Sequence, residues 1–310
     1  MPIRLIAVDM DGTFLDSHKK FNKERFDSLY KRMLEKNIRF VVASGNQYYQ
    51  LRSFFPEIQD NIAFVAENGA FVVDCNKELS VGEMTQETID KVLWIFKELD
   101  AYSKLVVCGK NSAYVNSSVS DHFYQNTKRF YHRLKRVDSF SEIDDIIFKF
   151  ASGFSEEEVP ALLEHFIREV GDVVSPVPTG HGSIDLIIPG MHKASGIQLL
   201  QKLWGISDEE TAAFGDSGND IEMLEHVAYS FAMANAADDV KKPPNTVPFR
   251  TTKKACWLQS NNCSKWNKQK RMMDHRFDMK RDPSSFSYVA MKSSLSRRSI
   301  IHTFSLPAFF

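Results

Sequence analysis

Two aspartates spaced two residues apart, Asp9 and Asp11, close the apolar run of RLIAVDMDGT (4–13). Carboxylates at i and i+2 that leave a buried strand can point to one side of its C-terminal end, where open α/β sheets build their sites. Like charges held that close call for a cation. A hard dication such as Mg²⁺, which takes oxygen ligands, water and phosphate, suits them better than a thiolate-seeking metal. A second acidic turn, GDSGND (215–220), follows another apolar run, and its Asp216 and Asp220 offer further oxygens for the same ion. Each motif alone has a plainer reading, DMDGT as a solvated turn and GDSGND as the cap of the next helix. On two parallel strands of one sheet they would form a single acidic edge.

The elements that must position these residues alternate. RLIAVD (4–9), IRFVVA (38–43) and IAFVA (62–66) read as buried strands. Between them come a helix from about Asn22, striped by Phe26, Leu29, Tyr30, Met33 and Leu34, and a short helix, QYYQLRSFF, ended by Pro56. Strand, helix, strand, helix, strand implies parallel pairing with right-handed crossovers, a doubly wound α/β sheet. ENGA (67–70) is a turn into the return strand FVVD. From 83 the order changes to a helix marked by Ile89, Val92, Leu93, Phe96 and Leu99, paired strands KLVVC and SAYVN, and a polar helical stretch. IIFKFA, a helix over 156–170, DVVSPV and SIDLII follow, which predicts an inserted α+β unit with an antiparallel sheet. After Gly190 the first rhythm returns with a helix over 192–204, TAAFGD, a helix over 220–227 and YSFAMA. The expected division is 1–82 and 187–240 for the core, 83–186 for the insert and 241–310 for a tail.

Composition narrows the classes. The 310 residues are 43% apolar and 25% charged, as expected of a soluble globular chain with a sizeable core. The net charge of −1 averages two unlike pieces: residues 1–240 carry 24 basic and 37 acidic side chains, residues 241–310 carry 15 and 3. Asp9 and Asp11 interrupt the N-terminal apolar stretch, so neither a signal peptide nor a membrane span is expected there, and no other uncharged run is long enough. Cys75, Cys108, Cys256 and Cys263 form no CxxC pair, which argues against a disulfide scaffold or zinc ribbon and points to a reduced, cytoplasmic setting. The histidines show no ligand spacing. Tyr48, Tyr49, Phe54 and Phe55 read as packing, and Glu156, Glu157 and Glu158 as acidic residues favoured at a helix start.

DMDGT (9–13), VVASGN (41–46), Lys193 and GDSGND (215–220) resemble, in order, the four motifs of the haloacid dehalogenase-like phosphatase superfamily. The ENGA turn and the 148 residues between Ser44 and Lys193 are similar to its Cof-type branch, and the details look close to the enterobacterial sugar phosphatases of that branch. The resemblance spans roughly residues 1–240. It implies a Rossmann-like core with an inserted C2-type cap whose closure excludes water and selects the organic part of a small phosphorylated metabolite. Loops around Gly109, Gly153, His181 and Gly182 are the expected contact points.

The resemblance also implies roles. Asp9 is the nucleophile that forms an aspartyl-phosphate, and Asp11 protonates the leaving alcohol and then activates water. Asp9, Asp216 and the backbone carbonyl of Asp11 hold Mg²⁺. Ser44, the backbone N–H groups of Met10 and Gly45, and the Asn219 side chain bind phosphate, while Lys193 adds positive charge. Taken singly, Ser44 reads as a helix N-cap and Lys193 as a solvated surface lysine. The family's second motif more often reads Thr-Gly-Arg; Ser44-Gly45-Asn46 keeps the hydroxyl, and Asn46 bears on what the pocket accepts beyond phosphate.

The expected activity is Mg²⁺-dependent hydrolysis of small sugar phosphates. One alternative is phosphotransfer or a phosphosugar mutase reaction, in which an alcohol intercepts the aspartyl-phosphate. Another is nucleic-acid binding through the basic tail, whose 15 basic residues are interleaved with Trp257 and Trp266. Cof-type chains usually add a short strand and a C-terminal helix after the strand that YSFAMA resembles. Here TVPFRTT (246–252) offers one short edge strand, and the glycine-free remainder reads as a disordered, out-of-frame or otherwise aberrant end.

Overall fold

A computed structural model of the chain describes residues 2–180, 182–242 and 246–249. The rest of the basic segment beyond residue 242, on which the nucleic-acid and aberrant-end expectations fall, lies outside the described residues, as does His181.

The chain begins β1 (Leu5–Val8), α1 (Lys23–Glu35), β2 (Arg39–Ala43), α2 (Tyr48–Ser53), β3 (Ala63–Ala66), β4 (Phe71–Asp74), β5 (Lys77–Val81). Asn22 starts α1 as expected, its side-chain oxygen accepting from the Arg25 N–H at 2.9 Å. There follow α3 (Gln86–Glu98), β6 (Leu105–Gly109), β7 (Ala113–Asn116), α4 (Asp121–Thr127), β8 (Leu134–Val137), β9 (Ile147–Gly153), α5 (Val159–Val170), β10 (Ser175–Gly180) and β11 (Ser183–Ile187). The described chain ends α6 (Lys193–Trp204), β12 (Thr211–Gly215), α7 (Ile221–His226), β13 (Tyr229–Met233), β14 (Thr246–Phe249).

The first sheet runs β14-β13-β12-β1-β2-β3-β4-β5, parallel from β14 to β3 and antiparallel at the β3–β4–β5 edge. Leu5, Ala7, Val41, Ala43, Ala63 and Val65 pack on one face against Ile197 and Leu200 of α6 and Met223 and Leu224 of α7. Beyond the other face Phe14, Phe21, Phe26, Phe40 and Phe55 form an aromatic cluster with ring centroids 4.8–6.0 Å apart. This cluster anchors the loop after β1 onto α1 and β2. Helices on both faces of a mainly parallel sheet make the doubly wound core read from the sequence.

The second sheet, β10-β11-β9-β6-β7-β8, is antiparallel except for the β7–β8 pair. α3 and α5 cover one face, where Val92, Phe96, Phe166 and Val170 meet Leu105, Val107, Phe150, Ile184 and Leu186. Alternation along β11 turns Asp185 to the opposite face, toward the first sheet. This is the α+β cap predicted for the insert, joined to the core through 82–85 and 188–192.

Three details differ from the sequence reading. α5 starts at Val159 rather than 156, with Glu158 as N-cap and Pro160 in the first turn, where a missing N–H costs nothing. β5 and β8 were not foreseen. β5 returns through a tight turn at Cys75 and Asn76, whose φ values of 47° and 65° are a glycine-like geometry that neither residue type announces. β14 forms the one short edge strand expected of TVPFRTT, paired in parallel with β13.

Candidate active site

β1 ends buried between β2 and β12, and the next residue, Asp9, is 5% exposed at the C-terminal edge of the sheet. Beyond it the chain folds back, with the Phe14 and Leu15 N–H groups donating to the Met10 carbonyl at 3.0 and 2.8 Å. Gly12 makes that turn possible. It adopts φ +82°, and a Cβ there would lie 2.2 Å from Asp216 Oδ2, so the turn packs directly on the second acidic motif. Asp11 accepts from Asn46 Nδ2 and from Lys19 Nζ, each at 2.5 Å.

β12 delivers Asp216 and the turn after it delivers Asp220. One oxygen of Asp220 accepts from the Asp216 and Ser217 N–H groups at 2.9 and 3.0 Å, so the residue does cap its turn. Its other oxygen takes Lys193 Nζ at 2.6 Å, and the same ammonium donates to Asp9 Oδ1 at 2.7 Å. Lys193, at the first position of α6, is 1% exposed, contrary to the surface lysine it suggests when taken alone. Asp216 accepts from Thr13 Oγ1 at 3.0 Å and Asn235 Nδ2 at 2.8 Å.

Carboxylate oxygens of Asp9, Asp216 and Asp220 lie within 4.8 Å of one another. Three carboxylates against one ammonium leave a buried excess of negative charge. Burial, Asp220 and Asp216 push Asp9 well above the usual carboxylate range against the pull of Lys193. Burial and Asp220 push Asp216 up to about 6. Burial disfavours the Lys193 ammonium, but Asp220 and Asp9 outweigh it and hold its pKa above the ordinary lysine value. An all-oxygen set with surplus negative charge fits a hard divalent cation such as Mg²⁺.

Ser44 and Gly45 leave β2 at the same edge. Ser44 is buried and does not cap α2, whose N-cap is Gln47; its Oγ instead accepts from the Asn46 N–H at 3.1 Å. Gly45 sits against Asn68, and a Cβ at 45 would come within 2.9 Å of Asn68 Oδ1. That oxygen accepts from Asn219 Nδ2 at 2.8 Å, which links the second and fourth motifs through the turn after β3. Asp9, Asp11, Met10, Ser44, Gly45, Asn46, Lys193, Asp216 and Asn219 are thus gathered at one sheet edge. Beside them stand Asp220, which the resemblance did not assign to the metal, and Thr13, Lys19, Asn68 and Asn235. The ENGA turn was the available signal for Asn68; Asn235 follows a strand with no motif around it.

The second sheet lies over this edge. The Gln47 side chain exchanges two hydrogen bonds with the backbone of Arg133, both at 2.8 Å, and β10 packs on the turn carrying Asn219 and Asp220.

Residues 6–255 match the family model of haloacid dehalogenase-like hydrolases. Over 243 residues the chain is 51% identical to the 5-amino-6-(5-phospho-D-ribitylamino)uracil phosphatase YbjI of Escherichia coli strain K12, covering 77% of this chain and 88% of that protein. The crystal structure of SMU.1108c from Streptococcus mutans superposes with a TM-score of 0.75 at 35% identity, over 80% of this chain and 93% of that one. The subclass IIB sugar phosphatase BT4131 shares the fold, with a TM-score of 0.68 at 21% identity over 80% and 93% of the two chains.

Proposed function

The chain belongs to the haloacid dehalogenase-like hydrolase family and is a phosphoric monoester hydrolase; from that premise we propose that it hydrolyses small sugar or polyol phosphates with Mg²⁺ through an aspartyl-phosphate on Asp9. The carboxylate trio of Asp9, Asp216 and Asp220, two of whose members bond buried Lys193, beside the Ser44 loop, is the observation that carries this reading. The relative in Escherichia coli is named for an ester at the end of a ribityl chain, which supports a polyol phosphate as the substrate class.

In this mechanism the Ser44 hydroxyl, the N–H groups of Met10 and Gly45 and the Asn219 amide hold the phosphate oxygens. Asp9, Asp216, Asp220 and the Asp11 carbonyl are the groups that would hold Mg²⁺, which when bound offsets phosphate charge so that an anionic nucleophile can approach. An Asp9 oxygen attacks phosphorus as the ester P–O bond breaks, and the Asp11 carboxyl gives its proton to the leaving alkoxide. Asp11, now a carboxylate, takes a proton from water; the water oxygen attacks phosphorus, the P–O bond to Asp9 breaks, and phosphate departs with Asp9 restored. Lys193 fixes Asp9 in line and offsets charge in both steps. Asn46, bonded to Asp11, positions the acid. In the proposed division 1–82 and 187–240 form this catalytic unit, and 83–186 closes over it to exclude water.

Among the described residues no helix is long and apolar enough to cross a membrane, and Cys75 and Cys108 are free. With the sparse cysteines, this is compatible with the cytoplasmic setting we propose. The test is a panel of phosphomonoesters, among them ribityl and hexose phosphates, assayed after chelation and after Mg²⁺ is restored. Activity should vanish and return, and Asp9→Asn should abolish it; activity that survives either treatment contradicts the reading. Adding an acceptor alcohol in excess separates hydrolysis, which releases only free phosphate, from transfer.

A further inference from the structure

A second buried lysine lies where the two sheets meet, in no motif of the catalytic set. Lys149, on β9, is 1% exposed. Its ammonium donates to the Gly45 carbonyl at 2.6 Å and pairs with Glu67 Oε2 at 2.9 Å and Asp185 Oδ2 at 3.3 Å. One carbonyl and two carboxylates surround the buried ammonium, which is therefore turned to the protein and not to a substrate.

What those acceptors do next gives the lysine its meaning. The Gly45 carbonyl belongs to the peptide whose N–H, that of Asn46, donates to Ser44 Oγ. A cation on the carbonyl polarises that peptide and strengthens its N–H as a donor. Ser44 Oγ accepts this bond, which leaves its own O–H free to donate to a phosphate oxygen. On the other side Asp185, from β11, accepts from Asn68 Nδ2 at 2.7 Å, which leaves Asn68 Oδ1 to accept from Asn219. One ion pair on the cap therefore holds two loops of the core, Ser44–Gly45–Asn46 by the lysine and Asn219 by the aspartate.

We infer that Lys149, seconded by Asp185, is a positioning residue through which the seated cap completes the phosphate-binding loops of the core. This rests on the reading of those loops as the phosphate site. It assigns the cap a part in holding the phosphate, which every substrate shares, in addition to any contact with the organic group.

The experiment compares Lys149→Met with the wild type by inhibition with inorganic phosphate and by KM for three esters with unlike alcohols. Melting temperatures are recorded to establish folding. The inhibition constant and every KM should rise by a common factor on the order of tenfold, the size of one charge-assisted hydrogen bond, with kcat less affected and the ranking of substrates kept. A folded variant with wild-type phosphate inhibition overturns the inference. So does a changed ranking, since it would place the lysine against the alcohol portion. If the single variant fails to fold, Lys149→Met with Glu67→Gln removes both members of one ion pair and is read the same way. Glu67→Gln alone, which leaves the bond to Gly45 in place, should lower the melting temperature and leave phosphate inhibition near that of the wild type; an equal rise in both variants would reduce the cluster to a structural role. Asp9→Asn separates the two levels: residual activity there removes the phosphatase mechanism, whereas an inactive Asp9→Asn beside an unaltered Lys149→Met removes only the inference.

Discussion

Lys193 and Lys149 are buried to the same degree, and each faces two carboxylates, yet they sit in opposite kinds of site. Lys193 meets Asp9 and Asp220, and Asp216 lies close to both of these, so the group holds three carboxylates for one ammonium. Around Lys149 the carboxylates are two, and the Gly45 carbonyl accepts a hydrogen bond from the ammonium. The first arrangement keeps a surplus of buried negative charge, which is expensive unless a cation joins it. The second leaves a smaller surplus, two carboxylates against one ammonium, which burial lessens by raising the Glu67 pKa, and it passes its order outward through Gly45 and Asn68. Burial and pairing alone do not distinguish a reactive cluster from a positioning one. The charge left over, and the groups the partners touch next, do.

Substitutions at the two lysines test the contrast. Lys193→Met carries the largest effect, since it frees Asp9 and releases the partner of Asp220: kcat should fall on the order of 10² to 10³-fold, with about 3–5 kcal/mol lost from stability if no cation compensates. Added Mg²⁺ should recover part of that stability in a thermal melt, and no such recovery would mean that the trio does not share a cation. Lys149→Met should cost a comparable about 3–5 kcal/mol by the same melt, with no recovery from Mg²⁺, because its carboxylates lie outside the trio.

Alkaline titration gives a smaller effect. Burial disfavours the Lys149 charge, but Asp185 and Glu67 outweigh it and raise its pKa well above the ordinary 10.5. A lysine raised in the folded state contributes stability that is complete below its unfolded pKa and is lost as pH climbs toward the folded value. Above about pH 10.5 the wild type should therefore lose melting temperature more steeply than Lys149→Met, and parallel curves would remove the ion pair from the account. The smallest change is Gln47→Ala, which removes both bonds to the Arg133 backbone. A loss of about 1–3 kcal/mol is expected, with KM values rising less than in Lys149→Met.

The two acidic motifs of the catalytic edge were legible because Asp9 and Asp216 each follow an apolar strand directly, whereas the roles of Ser44 and Lys193 came only from the resemblance of the four motifs taken together. Asp9, Ser44 and Asp216 are placed by where β1, β2 and β12 stop, and strand ends are readable from apolar runs and small residues. Lys149 and Asp185 were not legible. Each sits inside a strand, IIFKFA and SIDLII, as a charge in an apolar run, which signals a buried partner without naming it. The partner follows only from register: Ile187 pairs with Lys149 and Asp185 with Ala151, so the two charges are diagonal neighbours on one face. Register was beyond the sequence because β6, β9 and β11 lie side by side while 37 residues separate β6 from β9. The start of α5 was misread for a local reason: three consecutive glutamates look like a first turn, and Pro160 sets the true start only once its missing N–H is counted against the helix ladder.

The most direct test of the central claim, that Asp9 is the nucleophile of a phosphoester hydrolase, is to quench the enzyme in acid during turnover and locate added phosphate by peptide mass spectrometry. A phosphoryl group on the peptide containing Asp9, absent from Asp9→Asn and discharged when turnover is allowed to finish, is the predicted result. A catalytically active enzyme that never carries phosphate on that peptide, or carries it elsewhere, would contradict the account.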